Sequence, residues 1–261
     1  MTLSECEACE KGGGIDMKRI MLTVAYDGTN YHGWQRQPNG ETIESVLNRC
    51  LTALLREEIE VIGASRTDSG VHALCNIAVF DTDTNIPPEK LSYALNARLP
   101  ADIKIQGSKE VDASFHPRHC DSRKTYEYRI YNAEFPMPAE RLYAHFSYVP
   151  YDVERMKKAA RYFEGTHDFK SFCSTDTHVE NTVRQIERVE VNKNENKIVI
   201  RAVGRGFLYN MVRIMAGTLM EVGRGNLEPQ DMERILAAKD RSAAGPTAPA
   251  CGLTLTGYEF L

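Results

Sequence analysis

The chain has 261 residues, 42% of them hydrophobic and 26% charged, with a formal net charge of −4. That is enough for one large domain or two intimate halves with a buried core. No apolar run reaches the ~20 residues of a membrane helix and no signal-peptide pattern opens the chain, so a cytoplasmic protein without membrane contact is expected; the acidic total excludes a uniformly basic nucleic-acid binder and leaves that role to local patches.

Residues 1–16 lack an apolar period and end in Lys11-Gly12-Gly13-Gly14, which predicts a disordered leader. Its Cys6 and Cys9 form a lone C-x-x-C without the second pair a zinc site needs, so no metal is expected. The seven cysteines, odd in number and scattered, read as reduced thiols rather than a disulfide framework. Arg19 to Tyr26 alternates as a strand. Thr42 is a candidate N-cap for a helix bearing Ile43, Val46, Leu47, Leu51 and Leu54 at spacings of three and four. Val61 to Ala64 reads as a short strand, 65–70 as a break and 71–82 as a longer strand. Pro87 and Pro88 open a helix carrying Leu91, Ala94, Leu95 and Arg98, stopped before Pro100. Ile103 to Val111 is a further strand, giving β-α-β-β-α-β in outline.

A second half begins near Ser114. Arg123 to Asn132 alternates, with Tyr126, Tyr128 and Ile130 on one face. Asp152 caps a helix with Met156, Ala159, Ala160 and Phe163, closed by Gly165. Strands at 183–192 and 197–204 flank an Asn-Glu-Asn turn. A helix is predicted from Phe207 to Val222, ending at Gly223; another starts at Pro229, and Leu253 to Phe260 is a last strand. The pattern predicts an α+β fold in two related halves, 17–112 and 113–261, sharing one sheet.

The stretch Arg66-Thr67-Asp68-Ser69-Gly70-Val71-His72 is a polar knot between apolar strands. Gly70 is free to take positive φ, and its small neighbours let the backbone turn sharply and present a side chain. An arginine two residues before an aspartate suits a charged pair at a cleft mouth. The same residues also make an ordinary β-turn with Asp68 as its hydrogen-bonding residue. By spacing alone, Tyr126 reads as a core tyrosine on a strand and Arg213 as a solvated helix arginine. A strand followed by Asp81-Thr82-Asp83 is similar to the start of haloacid-dehalogenase-like phosphotransfer enzymes. Thr84-Asn85 replace that family's Gly-Thr and no parallel βαβ series follows, so solvated strand-end aspartates fit better.

Tyr26-Asp27-Gly28-Thr29-Asn30-Tyr31-His32-Gly33-Trp34-Gln35 and Arg66-Thr67-Asp68-Ser69-Gly70-Val71-His72-Ala73 resemble signatures of the tRNA pseudouridine synthase A family. Phe115-His116-Pro117-Arg118, Lys124-Thr125-Tyr126-Glu127-Tyr128-Arg129-Ile130-Tyr131-Asn132, Gly165-Thr166-His167-Asp168-Phe169 and Met211-Val212-Arg213 follow in the same order. The resemblance covers nearly everything from Met17 to Leu261. It implies the pseudouridine synthase fold, with mixed, largely antiparallel strands, helices on one side and an active-site cleft between the halves. It also implies Asp68 as catalytic nucleophile, Arg213 as the arginine paired with it, Tyr126 against the target base and Arg66 displacing that base from its stack. The implied activity is conversion of uridine to pseudouridine at positions 38, 39 and 40 of the tRNA anticodon arm, by a homodimer without a cofactor. A non-catalytic tRNA-binding or chaperone protein on the same scaffold is the alternative. The family's usual Gly-Arg-Thr-Asp, followed by alanine, is replaced by Ser65 and Ser69 around the shared residues; positive φ at Ser65 would strain a serine.

Local charge fits an RNA partner. Arg201, Arg205, Arg213 and Arg224 outweigh Glu221, and Arg118, Arg123, Lys124 and Arg129 outweigh Asp121 and Glu127. Such patches suit phosphates, and equally suit an ordinary solvated surface.

Overall fold

The computed structural model describes residues 17–175 and 179–261. The expected disordered leader, with Cys6 and Cys9, lies outside the described residues. In chain order the strands are β1 (Lys18–Tyr26), β2 (Ile62–Gly63), β3 (His72–Thr82), β4 (Ile103–Val111), β5 (Ser122–Asn132), β6 (His145–Ser147), β7 (Gly165–Asp168), β8 (Val183–Asn194), β9 (Lys197–Gly204) and β10 (Leu253–Phe260). The helices are α1 (Ile43–Leu55), α2 (Leu91–Asn96), α3 (Val153–Ala160), α4 (Met211–Arg224) and α5 (Asp231–Ala238). The strands join in one mixed sheet ordered β4-β1-β3-β10-β5-β9-β8-β7, with β2 beside β3 and β6 beside β5.

All the pairings along that path are antiparallel except a short parallel seam, where Thr254 and Leu255 of β10 meet His72 and Ala73 of β3. Leu255 is in turn opposite Tyr126 of β5, and Tyr126 opposite Ala202 of β9. Strands lie about 4.8 Å apart, so the backbone at Tyr126 is about 10 Å from the start of β3, where the Asp68 loop ends. The seam is what joins the two motif-bearing stretches.

One face of the sheet carries the helices. Ile20, Leu22 and Val24 of β1 share a core with Ile43 and Leu47 of α1, Leu91 of α2, Met156 of α3, Ile214 of α4 and Met232 of α5. The intervening Met21, with Ile77, Val79 and Ala64, forms a separate cluster on the opposite face, packed with Ile62, Val111, Phe115 and Tyr258. Period-two alternation in β1 places its even-numbered residues under the helices.

Helix α1 begins where its cap predicts: the Thr42 hydroxyl accepts from Ser45 N, and the Ser45 hydroxyl accepts from Thr42 N. Helix α4 departs from expectation at both ends. Asn210, left-handed at φ 58°, breaks the chain immediately before Met211, so residues 207–210 are not helical. The helix runs through Gly223, whose bare backbone lets Met156 and Tyr151 approach, and stops at Gly225 with φ +83°. The helix expected through Arg98 ends at Asn96, whose amide clamps Ile105 of β4 through two hydrogen bonds of 2.7 and 2.8 Å. Strands β6 and β7, of three and four residues, had no legible period. Among the described residues no helix is long and apolar enough to cross a membrane.

Candidate active site

The loop 65–70 between β2 and β3 is fixed mainly by buried side chains behind it. Asn76 of β3 accepts from Ser65 N at 3.2 Å and donates to Ser65 O at 2.9 Å and to the Tyr26 hydroxyl at 3.2 Å. Tyr26 and Thr67 hydroxyls lie 2.7 Å apart, and Trp34 N donates to Thr67 O at 3.0 Å. Gly33, at φ +83°, comes so close that a Cβ there would lie 2.7 Å from Thr67 O. Gly70 takes φ +78° and closes the turn, with Val71 N donating to Asp68 O. Ser65 is not among the residues with positive φ, so the serine in place of the family's usual glycine carries no left-handed strain.

This scaffold sets Asp68 at the edge of an open cleft of about 1240 Å³. The Asp68 side chain is only 12% exposed, and Arg213 Nη1 lies 3.5 Å from its Oδ2. Arg213 stands in the first turn of α4 and is held from two other sides. Its Nε donates to Ala248 O at 2.8 Å and its Nη1 to Asn210 Oδ1 at 2.6 Å. Burial pushes the Asp68 carboxyl above its ordinary range, while the Arg213 charge and hydrogen bond pull it back toward the ionised form. Among the described residues the Asp68 carboxylate has no other hydrogen-bond donor.

Tyr126 of β5 lines the same cleft but is only 8% exposed, its ring edge-on to Phe207 with centroids 5.1 Å apart. Burial pushes its phenol well above the ordinary tyrosine range, so the hydroxyl stays neutral. Arg66 also lines the cleft; it is exposed, and among the described residues no carboxylate pairs with it. The structure thus brings Asp68, Tyr126 and Arg66 to the lining of one cleft, with Tyr126 edge-on to Phe207, and sets Arg213 in contact with Asp68.

The charge patches divide. Arg118, Lys124 and Arg205 line the cleft, joined by Arg36 and Arg184, with Glu187 4.0 Å from Arg205. Arg123 instead pairs with Glu187 and Glu259, Arg129 with Glu127, Arg201 with Glu190, and Arg224 with Glu221. Asp121 joins Asp68 as an acidic lining residue. Asp81, the first residue of the D-x-D, is gripped by Arg19 through two hydrogen bonds on an antiparallel strand pair, which removes the phosphotransfer alternative's free nucleophile. No group of three or more His, Cys, Asp or Glu among the described residues is placed to hold a metal.

A family model described as tRNA pseudouridine synthase matches residues 22–119 and 159–260. The chain belongs to that family. Its members named tRNA pseudouridine synthase A from Thermoanaerobacter sp. (strain X514), Ruminiclostridium cellulolyticum and Bacillus licheniformis are 49%, 48% and 46% identical to it. The matches span 92%, 94% and 91% of this chain and 98%, 100% and 97% of theirs.

Some members of the site escaped the sequence. Phe207, packed on Tyr126, was assigned to a helix. Asn210, which orients Arg213, had a signal in hindsight: asparagine tolerates the left-handed region that a chain uses to enter a helix abruptly. Asn76 reads as an ordinary strand residue, and Tyr26, though it opens the first signature, carries no local mark of a side chain that staples a distant loop.

Proposed function

We propose that the protein isomerises uridine to pseudouridine in the tRNA anticodon arm, at positions 38, 39 and 40, with Asp68 as the nucleophile. The family supports action on tRNA, and the ordered motifs support the target positions. In this reading residues 17–112 supply the aspartate loop and 113–261 complete the cleft, and the enzyme works in the cytoplasm as a homodimer on a bound tRNA, without a cofactor. The observation that carries the assignment of Asp68 is its geometry: a nearly buried carboxylate in a basic cleft, touched by one guanidinium at 3.5 Å and with no other hydrogen-bond donor among the described residues.

The reaction breaks the bond between uracil N1 and ribose C1′, turns the base, and joins C5 to C1′, with loss of the C5 proton and gain of a proton from solvent at N1. Atoms and electrons balance without a redox partner. Attack on C1′, attack on the base, and abstraction of a sugar proton through a glycal all require an ionised carboxylate. Arg213 supplies the positive charge that keeps Asp68 ionised despite burial. The target base must first leave its stack, at a cost of a few kcal/mol. Contact with an aromatic ring recovers about 1–3 kcal/mol, the role given to Tyr126, while Arg66 occupies the space the base vacates.

Carbodiimide mapping of an unmodified tRNA transcript after incubation with the purified protein tests this reading. Reverse-transcription stops at positions 38, 39 or 40 are expected. Stops elsewhere refute the target assignment, and tight binding with no stop at all favours the non-catalytic alternative.

A further inference from the structure

One wall of the cleft holds two cations, Arg118 and Lys124, that form no ion pair among the described residues. Lys124 of β5 is half-buried, its Nζ 3.5 Å from Ala64 O and 5.3 Å from the Tyr258 ring centroid. Arg118, on the loop between β4 and β5, donates from Nε to Gly63 O at 2.8 Å. Among the described residues neither forms an ion pair, and Glu44 acts on Arg118 only at longer range. The neighbouring Arg123 shows the contrast, since two glutamates hold it.

Gly63 and Ala64 directly precede the loop that carries Asp68. The two cations are therefore fixed to the same segment as the carboxylate, with at most about 14 Å of backbone between Ala64 and Asp68. Arg66 adds a third positive charge felt by Arg118. Taking an ammonium partly out of water beside a like charge is unfavourable, and an anion delivered to that spot relieves it. Backbone carbonyls hold the two cations in place without cancelling their charge.

We propose that Arg118 and Lys124 form a seat for one RNA phosphodiester, that of the strand entering the cleft beside the reacting nucleotide. The inference rests on the function proposed above and adds to it a positioning contact. Lys124 makes the seat sensitive to pH, because burial, reinforced by Arg118, pushes its ammonium down to about 8. The groups facing it are Arg118 on the preceding loop, Tyr258 opposite it on β10 and the uncharged Gly204 opposite it on β9. Burial pushes the Tyr258 phenol up, so it stays neutral while Lys124 titrates. A bound phosphate raises the lysine's pKa above its value in the free protein. The added affinity is therefore complete below about pH 8 and is lost as pH rises beyond it.

Fluorescence anisotropy of a fluorescein-labelled, unmodified tRNA transcript, read from pH 6.5 to 9 and across a salt series, tests the seat. Wild type is expected to lose affinity above about pH 8. Lys124→Met is expected to bind several-fold more weakly at pH 7, to lose that pH step, and to lower the log–log salt slope by about 1. Lys124→Arg, charged throughout, should keep the neutral-pH affinity and hold it at pH 9. A Lys124→Met protein with the wild-type pH step and salt slope overturns the proposal. So does a Lys124→Arg protein that reproduces the wild-type loss, a comparison that stands even if Lys124→Met fails to fold. Carbodiimide mapping on wild type separates the two readings: no pseudouridine together with a Lys124-dependent pH step rejects the proposed function and keeps the seat.

Discussion

Arg19 grips Asp81 across β1 and β3 with two hydrogen bonds of 2.7 and 2.6 Å, whereas Arg213 directs its short hydrogen bonds to Ala248 O and Asn210 Oδ1 and meets Asp68 only at 3.5 Å. The residue types are the same and both pairs bridge distant parts of one chain. The pair on β1 and β3 is closed: both carboxylate oxygens are satisfied, and a third hydrogen bond from Arg19 to Phe115 O locks the guanidinium. The cleft pair is open. Its arginine is held by other acceptors, so its charge acts on Asp68 without occupying both oxygens. A fork-to-fork pair is a structural clasp; a long, one-sided pair at a nearly buried carboxylate leaves it an oxygen with no donor among the described residues and a reason to stay ionised.

The largest effect short of removing Asp68 should come from Arg213→Met. Tritium release from uridine labelled at C5 should fall by about 10²–10³-fold, the scale for deleting one preorganised electrostatic contact. Arg213→Lys should recover only part of this, because lysine cannot reproduce a planar fork held by Ala248 and Asn210. The pH dependence sharpens the point. Burial raises the Asp68 carboxyl, so activity should be full above that raised value and lost as pH falls through it, placing the acid limb of kcat/KM above the ordinary carboxylate range. Arg213 opposes the shift, so its removal should move the limb further toward neutral pH. A limb unmoved in Arg213→Met would mean that the two groups are not coupled.

Tyr126→Leu should cost less. Losing an aromatic contact worth about 1–3 kcal/mol predicts a fall of about 5- to 150-fold in kcat/KM. Tyr126→Phe keeps the ring and should stay within about threefold, and an equal loss in both variants would shift the role from ring to hydroxyl. The smallest effect belongs to the closed pair. Arg19→Met should leave turnover within about twofold and lower stability, read by urea unfolding, by no more than about 1–2 kcal/mol, since one partner of the pair is exposed and Phe115 O loses only one donor.

The fold was legible where periods are long. Leu253–Phe260 matches its strand from end to end, and α1 starts at its Thr42 cap. It was illegible where a boundary depends on distant partners: Gly223 reads as a stop but lies inside α4 because Met156 and Tyr151 need the space. The cleft shows the same limit. Asp68 and Arg213 are 145 residues apart, and only the parallel seam between β3 and β10 places Tyr126 near them. No local spacing encodes that. The four positions were found through motif resemblance, while the residues that orient them, Asn76 and Asn210, carry no motif of their own. Net charge misled in a similar way, because glutamates pair with Arg123, Arg129, Arg201, Arg205 and Arg224 while Arg118 and Lys124 line the cleft without an ion pair among the described residues.

Asp68→Asn tests the role of the carboxylate most directly, read as tritium release from C5-labelled tRNA transcript beside tRNA affinity and the thermal midpoint. The substitution is nearly isosteric and removes the cost of a buried charge, so the midpoint at pH 7.5 should be no lower than wild type and affinity should change by no more than a few-fold. Release should fall to background, by at least about 10³-fold. A folded, tRNA-binding Asp68→Asn protein that still releases tritium at near the wild-type rate would contradict a catalytic role for that carboxylate.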